Sequence, residues 1–202
     1  TQWLMNPDTT PRPTNELMNE ILDTKGASKT KTFRLENTGE TLISDLQRQI
    51  CMEFMDLAHA NLSPNKNDIK ICLGDKFGDG GKQAFVALFG ENSEERFNLL
   101  RAKHKESNNS KIALRRTSVP IDGCIDFHCD GSYASDTVQL ALNDDSEYRG
   151  GQICFYTIEQ GLSIPSRVAG TLTAHNRDVL HGVTKLHQGV RYSLFVVDTQ
   201  SP

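Results

Sequence analysis

The chain has 202 residues, 37% of them apolar, and a formal charge of -4 at pH 7, enough for one sizeable core and too short for two comfortable domains. The acid excess excludes a general nucleic-acid binder, and no apolar run approaches the roughly 18 residues of a membrane-spanning helix. Five scattered cysteines without CxxC pairing exclude a disulfide scaffold and point to a reducing compartment, intracellular, cytoplasmic or nuclear.

In chain order, the Pro- and Thr-rich "NPDTTPRPT" reads as an irregular arm, followed by a short helix through "NELMNEILDT" capped by Thr14. Ile43, Leu46, Ile50, Phe54 and Leu57 recur at helical spacing and predict an amphipathic helix over 41–61, ended before Pro64. "DIKICLGD" reads as a strand. The segment Gly74 to Gln83 holds Gly74, Gly78, Gly80 and Gly81 and is expected to be a flexible loop, either a lid over a site or a plain connector. Ser93 caps a further predicted helix through "SEERFNLLRAKHK".

After residue 110 the texture changes to seven β-type runs separated by turn residues: "KIALRRT", "GCIDFHC", "DTVQLALN", "GGQICFY", "AGTLTAH", "DVLHGVT" and "VRYSLFVVD". The expectation is an α+β fold, a jelly roll braced on one face by the preceding helices. It forms a single domain over 1–202, with a helical support region over 1–110 and a jelly-roll core over 111–198. The opening on Thr1 and the turn-like "TQSP" ending suit a domain excised from a longer protein.

The candidate site starts at "CIDFHCDGS". A strand alternates faces, so His128 and Asp130 project to one side and Cys129 to the other; Cys129 reads as a packing residue. Two His and one carboxylate with open positions form the facial site of non-haem Fe(II) oxygenases. Of the downstream histidines, His181 is preferred to His175 and His187, which are read as surface residues or residues behind the ligands. His181 stands on a strand, and a turn around Gln188 and Gly189 is expected to return the last strand beside it as a hairpin. On that last strand Arg191 and Ser193 share a face with Phe195 and Val197. A buried guanidinium needs a partner, and an organic acid such as 2-oxoglutarate offers a bidentate carboxylate. Of Arg115 and Arg116, one must face inward.

Together, His128-x-Asp130, "EYRGGQICFY" and "HGVTKLHQGVRYS" resemble the Fe(II)/2-oxoglutarate-dependent dioxygenase superfamily in its prolyl-4-hydroxylase-like branch, over roughly residues 112 to 198. The resemblance implies a double-stranded β-helix core, with His128, Asp130 and His181 as catalytic metal ligands. Arg191, ten residues after His181, anchors the far carboxylate of 2-oxoglutarate with Ser193. Thr137 and Gln139 join the cofactor-binding set, Gln139 replacing a tyrosine that many prolyl hydroxylases carry. Implied cofactors are Fe(II), 2-oxoglutarate as co-substrate and O2, with ascorbate a candidate accessory. The implied reaction hydroxylates an unactivated C–H bond, most readily of a protein or peptide side chain of prolyl type, coupled to decarboxylation of 2-oxoglutarate to succinate and CO2. Nucleic acid is not an expected partner, since Val197 stands where AlkB-type demethylases carry a second arginine; nor is a membrane. A free amino acid or small metabolite is the alternative substrate, and a non-catalytic jelly-roll binding module of a larger protein is the alternative function.

Overall fold

A computed structural model describes residues 30–34, 44–60, 69–72, 78–106, 110–118, 124–131, 134–157 and 161–198. The expected N-terminal arm and the helix through "NELMNEILDT" lie outside them.

Three helices form one layer: α1 (Asp45–Ala60), α2 (Gly78–Phe89) and α3 (Glu94–Glu106). The start of α1 is set by a reciprocal cap. The Gln47 amide donates to Ser44 Oγ (3.2 Å) while Gln47 Oε1 accepts from the Ser44 amide (2.7 Å), which satisfies donors that no helical carbonyl can reach. One face of α1 buries Ile50, Phe54 and Leu57; α2 contributes Phe85, Leu88 and Phe89, and α3 contributes Phe97 and Leu100. The Phe85 ring centres this layer, 5.9 Å from Phe54, 4.7 Å from Phe89 and 5.0 Å from Phe97, in the inclined geometries that aromatic pairs favour.

Twelve strands follow from the described residues: β1 (Thr30–Arg34), β2 (Ile69–Cys72), β3 (Ser110–Ser118), β4 (Ile125–His128), β5 (Asp136–Ala141), β6 (Arg149–Gly150), β7 (Ile153–Thr157), β8 (Gly161–Ser163), β9 (Thr171–Asn176), β10 (Leu180–Val183), β11 (Leu186–Gln188) and β12 (Val190–Asp198). A large antiparallel sheet runs β1-β9-β5-β12-β3-β2 and a small one β4-β10-β7-β8, with β11 and β6 paired at the rim. This two-sheet winding is the double-stranded β-helix. All seven runs predicted after residue 110 are strands.

Alternation divides the large sheet. Val138 and Leu140 on β5, Leu172 and Ala174 on β9, and Tyr192, Leu194 and Val196 on β12 pack against the helices. Their neighbours Thr137, Gln139, Thr173, His175, Arg191 and Ser193, also buried, face the small sheet. Arg116 is the inward one of the two arginines on β3, but on the helix side, where Nε donates to Tyr192 Oη (3.2 Å) and Nη1 to Ser118 Oγ (3.1 Å). Arg115 is exposed.

The structure corrects four expectations. Gly78, Gly80 and Gly81 lie in α2 rather than in a flexible loop; the apolar stripe of "KQAFVALF" anchors the helix against Phe54 and Phe97, and tertiary packing overrides the low helical propensity of glycine. Residues 74–77 of that segment lie outside the described residues. Ser93 does not cap α3: it lies in a short 3-10 turn (Glu91–Ser93) that runs into the helix, and its hydroxyl donates to the Gly90 carbonyl (2.6 Å). The support region also holds a strand that was not expected, β1, which with the expected β2 extends the large sheet at its two edges.

The fourth concerns the end of the chain. β12 does not return beside His181 as a hairpin: β10 pairs with β4 and β7, whereas β12 pairs with β3 and β5. Between them, Leu186–Gln188 pairs with Arg149–Gly150 and carries the chain across the rim from one sheet to the other. Gly150 and Gly151 permit this crossing. Both have positive φ (76° and 66°), a Cβ at Gly150 meets the Lys185 carbonyl oxygen, and the Gly151 amide donates to that same oxygen (3.1 Å).

Because Phe85 is fully buried at the centre of the helical layer, Phe85→Ala is expected to lower stability by about 3–5 kcal/mol. Urea unfolding followed by circular dichroism measures it. A loss below about 1 kcal/mol is inconsistent with this packing.

Candidate metal centre

β4 and β10 lie side by side with His128 opposite His181, so the strand register alone places two imidazoles on one face. Their ring centroids are 4.3 Å apart. Each ring is turned by the same device: Nδ1 of His128 donates to the Asp126 carbonyl (2.9 Å) and Nδ1 of His181 to the Val179 carbonyl (3.0 Å), in both cases two residues back. A carbonyl can only accept, so the proton stays on Nδ1 and the Nε2 lone pair is left free.

Asp130 completes the group. Its Oδ1 lies 3.9 Å from His128 Nε2 and 3.7 Å from His181 Nε2, and the three ligand atoms all fall within 4.8 Å of one another. Its other oxygen is occupied: Thr137 Oγ1 donates to Oδ2 (2.8 Å), and His175 Nε2 approaches Oδ2 to 3.3 Å without hydrogen-bond alignment. Burial pulls the Asp130 carboxyl up, but the His175 approach, the Thr137 hydrogen bond and the neighbouring imidazoles outweigh it and leave it at about 2. Burial, reinforced by His175, pushes His181 down to about 4. At neutral pH the site therefore holds a carboxylate and a neutral imidazole, the protonation states that bind metal.

Two nitrogens and one carboxylate oxygen converging on one side fit a first-row divalent ion with open coordination positions. Bonds of about 2.1 Å at right angles set such atoms about 3 Å apart, so the two spacings from Asp130 Oδ1 close by about 1 Å or less on binding and the imidazole–imidazole spacing, within 4.8 Å, by up to about 2 Å. Among the described residues, His128, Asp130 and His181 are the group that satisfies this geometry. His175 is buried behind them, its ring 4.2 Å from that of His181. His187 is exposed. Cys129 packs outward, against the small cluster of Phe127, Cys154 and Leu180.

Further along the interior lies a cationic cluster. Gln139 Oε1 accepts from Arg191 Nη2 (3.2 Å) and from Arg167 Nη1 (2.9 Å), and Arg167 Nη2 donates to Ser193 Oγ (3.3 Å). Thus Arg191, Ser193 and Gln139 stand together, whereas Thr137 belongs to the metal end, where it orients Asp130. Burial, and then the nearby Arg167, push Arg191 down to about 9, so it remains charged at neutral pH.

Arg167 escaped the sequence reading. It sits in the connection between β8 and β9, in "SIPSRVAG", where no periodicity marks an inward side chain. The connection is pinned by two consecutive aspartates: Asp145 Oδ2 accepts from the Arg167 amide (2.7 Å) and Asp144 Oδ1 from the Ala169 amide (2.8 Å).

No family model and no curated protein matches the chain. Among solved structures it is similar to a Pseudomonas putida prolyl-4-hydroxylase at 16% identity and a TM-score of 0.47, over 86% of this chain and 94% of that one. A prolyl hydroxylase from Trichoplax adhaerens, in complex with a hypoxia inducible factor peptide fragment, aligns at 16% identity and a TM-score of 0.45, over 91% and 89%. An Arabidopsis thaliana dioxygenase for auxin oxidation, in complex with 2-oxoglutarate, aligns at 15% and 0.45, over 85% and 84%. Likenesses this distant carry no conclusion about activity, which rests on the atoms of the site.

Removing a ligand is expected to abolish tight Mn(II) binding in His128→Ala, Asp130→Ala and His181→Ala, while His187→Ala keeps it. Thr137→Val, which frees Oδ2, should weaken binding about 10–100-fold. Titration followed by electron paramagnetic resonance reads all five, and parental affinity in His181→Ala refutes the assignment.

Proposed function

We propose that the chain is an Fe(II)- and 2-oxoglutarate-dependent dioxygenase that hydroxylates an unactivated C–H bond. The supporting observation is the pairing, on one interior surface, of the His128, Asp130 and His181 site with the Arg191 guanidinium. Thr137, which holds Asp130, and Gln139, which holds Arg191, are two residues apart on β5. That is roughly 7 Å along a strand, the reach of a five-carbon diacid whose oxo-acid end chelates a metal at His128, Asp130 and His181.

Bound there, iron supplies oxygen activation and C–H oxidation, coupled to decarboxylation of 2-oxoglutarate to succinate and CO2. The protein supplies position and dryness. Carbonyl-anchored imidazoles and the Thr137-held carboxylate keep the three ligand atoms together on one side. Arg191 offers the planar fork that matches a carboxylate, and Ser193 adds a hydroxyl. Ile153, Phe155 and Val179 form an apolar wall, with the Phe155 ring 5.4 Å from His175 and 6.3 Å from His181. The His128 side chain is 45% exposed, against 8% for His181 and 13% for Asp130, so the centre opens to the surface along that edge. An opening at the surface suits a side chain presented by a polypeptide, and with the motif resemblance it supports a protein substrate of prolyl type.

Purified protein given Fe(II), 2-oxoglutarate and O2 should release succinate, and Asp130→Ala should not. Arg191→Ala should raise the 2-oxoglutarate requirement about 100-fold, the cost of removing one partner of a buried charge pair; Arg191→Lys should raise it less, since the ammonium keeps the charge without the fork. Unchanged 2-oxoglutarate dependence in Arg191→Ala rules out this pocket. A proteome incubated with the enzyme under 18O2 should gain label on prolyl side chains, and label confined to small metabolites overturns the protein-substrate reading.

A further inference from the structure

Two buried guanidiniums share one neutral oxygen. Gln139 Oε1 accepts from both Arg167 and Arg191, and among the described residues neither side chain makes an ion pair. The interior ordinarily tolerates such a cation only against an anion. Spare donors accompany them: Arg167 Nε, Arg191 Nε and Thr173 Oγ1 are buried without partners, and Thr173 stands opposite Gln139 in the β5–β9 register. Asp145 acts on Arg167 electrostatically, but its Oδ2 is taken by the Arg167 amide and the Ser166 hydroxyl (3.2 Å). Asp145 therefore leaves at least one of the two guanidinium charges unbalanced, and a carboxylate supplies the missing charge.

We propose that Arg167 is a second binding residue for the far carboxylate of the 2-oxo acid, so that the carboxylate is gripped between Arg167 and Arg191 in the place where Gln139 Oε1 now meets both. This deepens the function proposed above and rests on it. Arg167 suits the role because it is already held: Asp145 and Asp144 accept from the Arg167 and Ala169 amides, and Gln139 and Ser193 accept from its guanidinium, so little side-chain freedom remains to be lost on binding. The consequence is selectivity. Two facing cations repel each other until an anion arrives, so the pocket discriminates strongly against a 2-oxo acid that ends in a methyl group, which leaves both donors unmet.

The test is calorimetric, on Mn(II)-loaded protein without oxygen, with 2-oxoglutarate and with 2-oxobutyrate, which shares the chelating head but lacks the far carboxylate. Arg167→Gln should weaken 2-oxoglutarate binding about 30-fold or more and leave 2-oxobutyrate within about twofold of the parent. The same variant binding 2-oxoglutarate as tightly as the parent overturns the proposal. So does an equal loss for both acids, which marks Arg167 as a brace for Gln139 and Ser193 instead. Should Arg167→Gln fail to fold by circular dichroism, Arg167→Lys is read in its place, with about a tenfold loss expected for 2-oxoglutarate alone. A parent that binds Mn(II) but neither acid is a different result, since it strikes the dioxygenase reading itself.

Discussion

The structure depends on the large sheet having two unlike faces. A strand offers its odd and even residues to opposite sides, and here one side is apolar while the other carries Thr137, Gln139, Thr173, His175, Arg191 and Ser193. The polar side is costly to bury. What makes it tolerable is the aliphatic and aromatic contact of the opposite side with the three helices, where Leu140, Leu172 and Leu194 meet Phe54, Phe85 and Phe97. Gln47 ties α1 to the same side of the sheet by donating to Asp198 Oδ1 (3.1 Å) at the end of β12.

Within the polar layer each group is fixed by a partner that leaves one atom free. Backbone carbonyls take the Nδ1 protons of His128 and His181, and Thr137 takes one oxygen of Asp130. At the cationic end, aspartates hold the backbone of the Arg167 connection while Gln139 and Ser193 accept from its guanidinium. Positional precision therefore comes from short-range contacts, most of them to the main chain, and not from the bulk of the core.

The parts legible in the sequence were those with a local signature. Alternation announced the seven strands after residue 110, helical spacing announced α1 and α3, and His128 with Asp130 declared a shared face two residues apart. Other features depended on contacts between distant segments. Gly80 and Gly81 are poor helix formers, and only the packing of Phe85 on Phe54 and Phe97 shows why they are helical. The passage of Leu186–Gln188 across the rim is set by its pairing with Arg149–Gly150, about 40 residues away in the chain, so a hairpin was the natural local expectation. Arg167 had no signal of its own, since its inward direction is decided by Asp144 and Asp145.

The position of β12 has a consequence for how the molecule is assembled. It follows every other described strand in sequence, yet it lies between β5 and β3 in the middle of the large sheet. Without residues 190–198 that sheet is divided into two parts, β1-β9-β5 and β3-β2, each with an open hydrogen-bonding edge. Open edges are templates for aggregation, and pairings between residues more than about 70 positions apart, such as Arg191 with Thr117, are slow to form. Closure of the sheet also delivers Arg191 and Ser193. A chain that lacks β12 therefore lacks both the continuous sheet and these two buried polar residues.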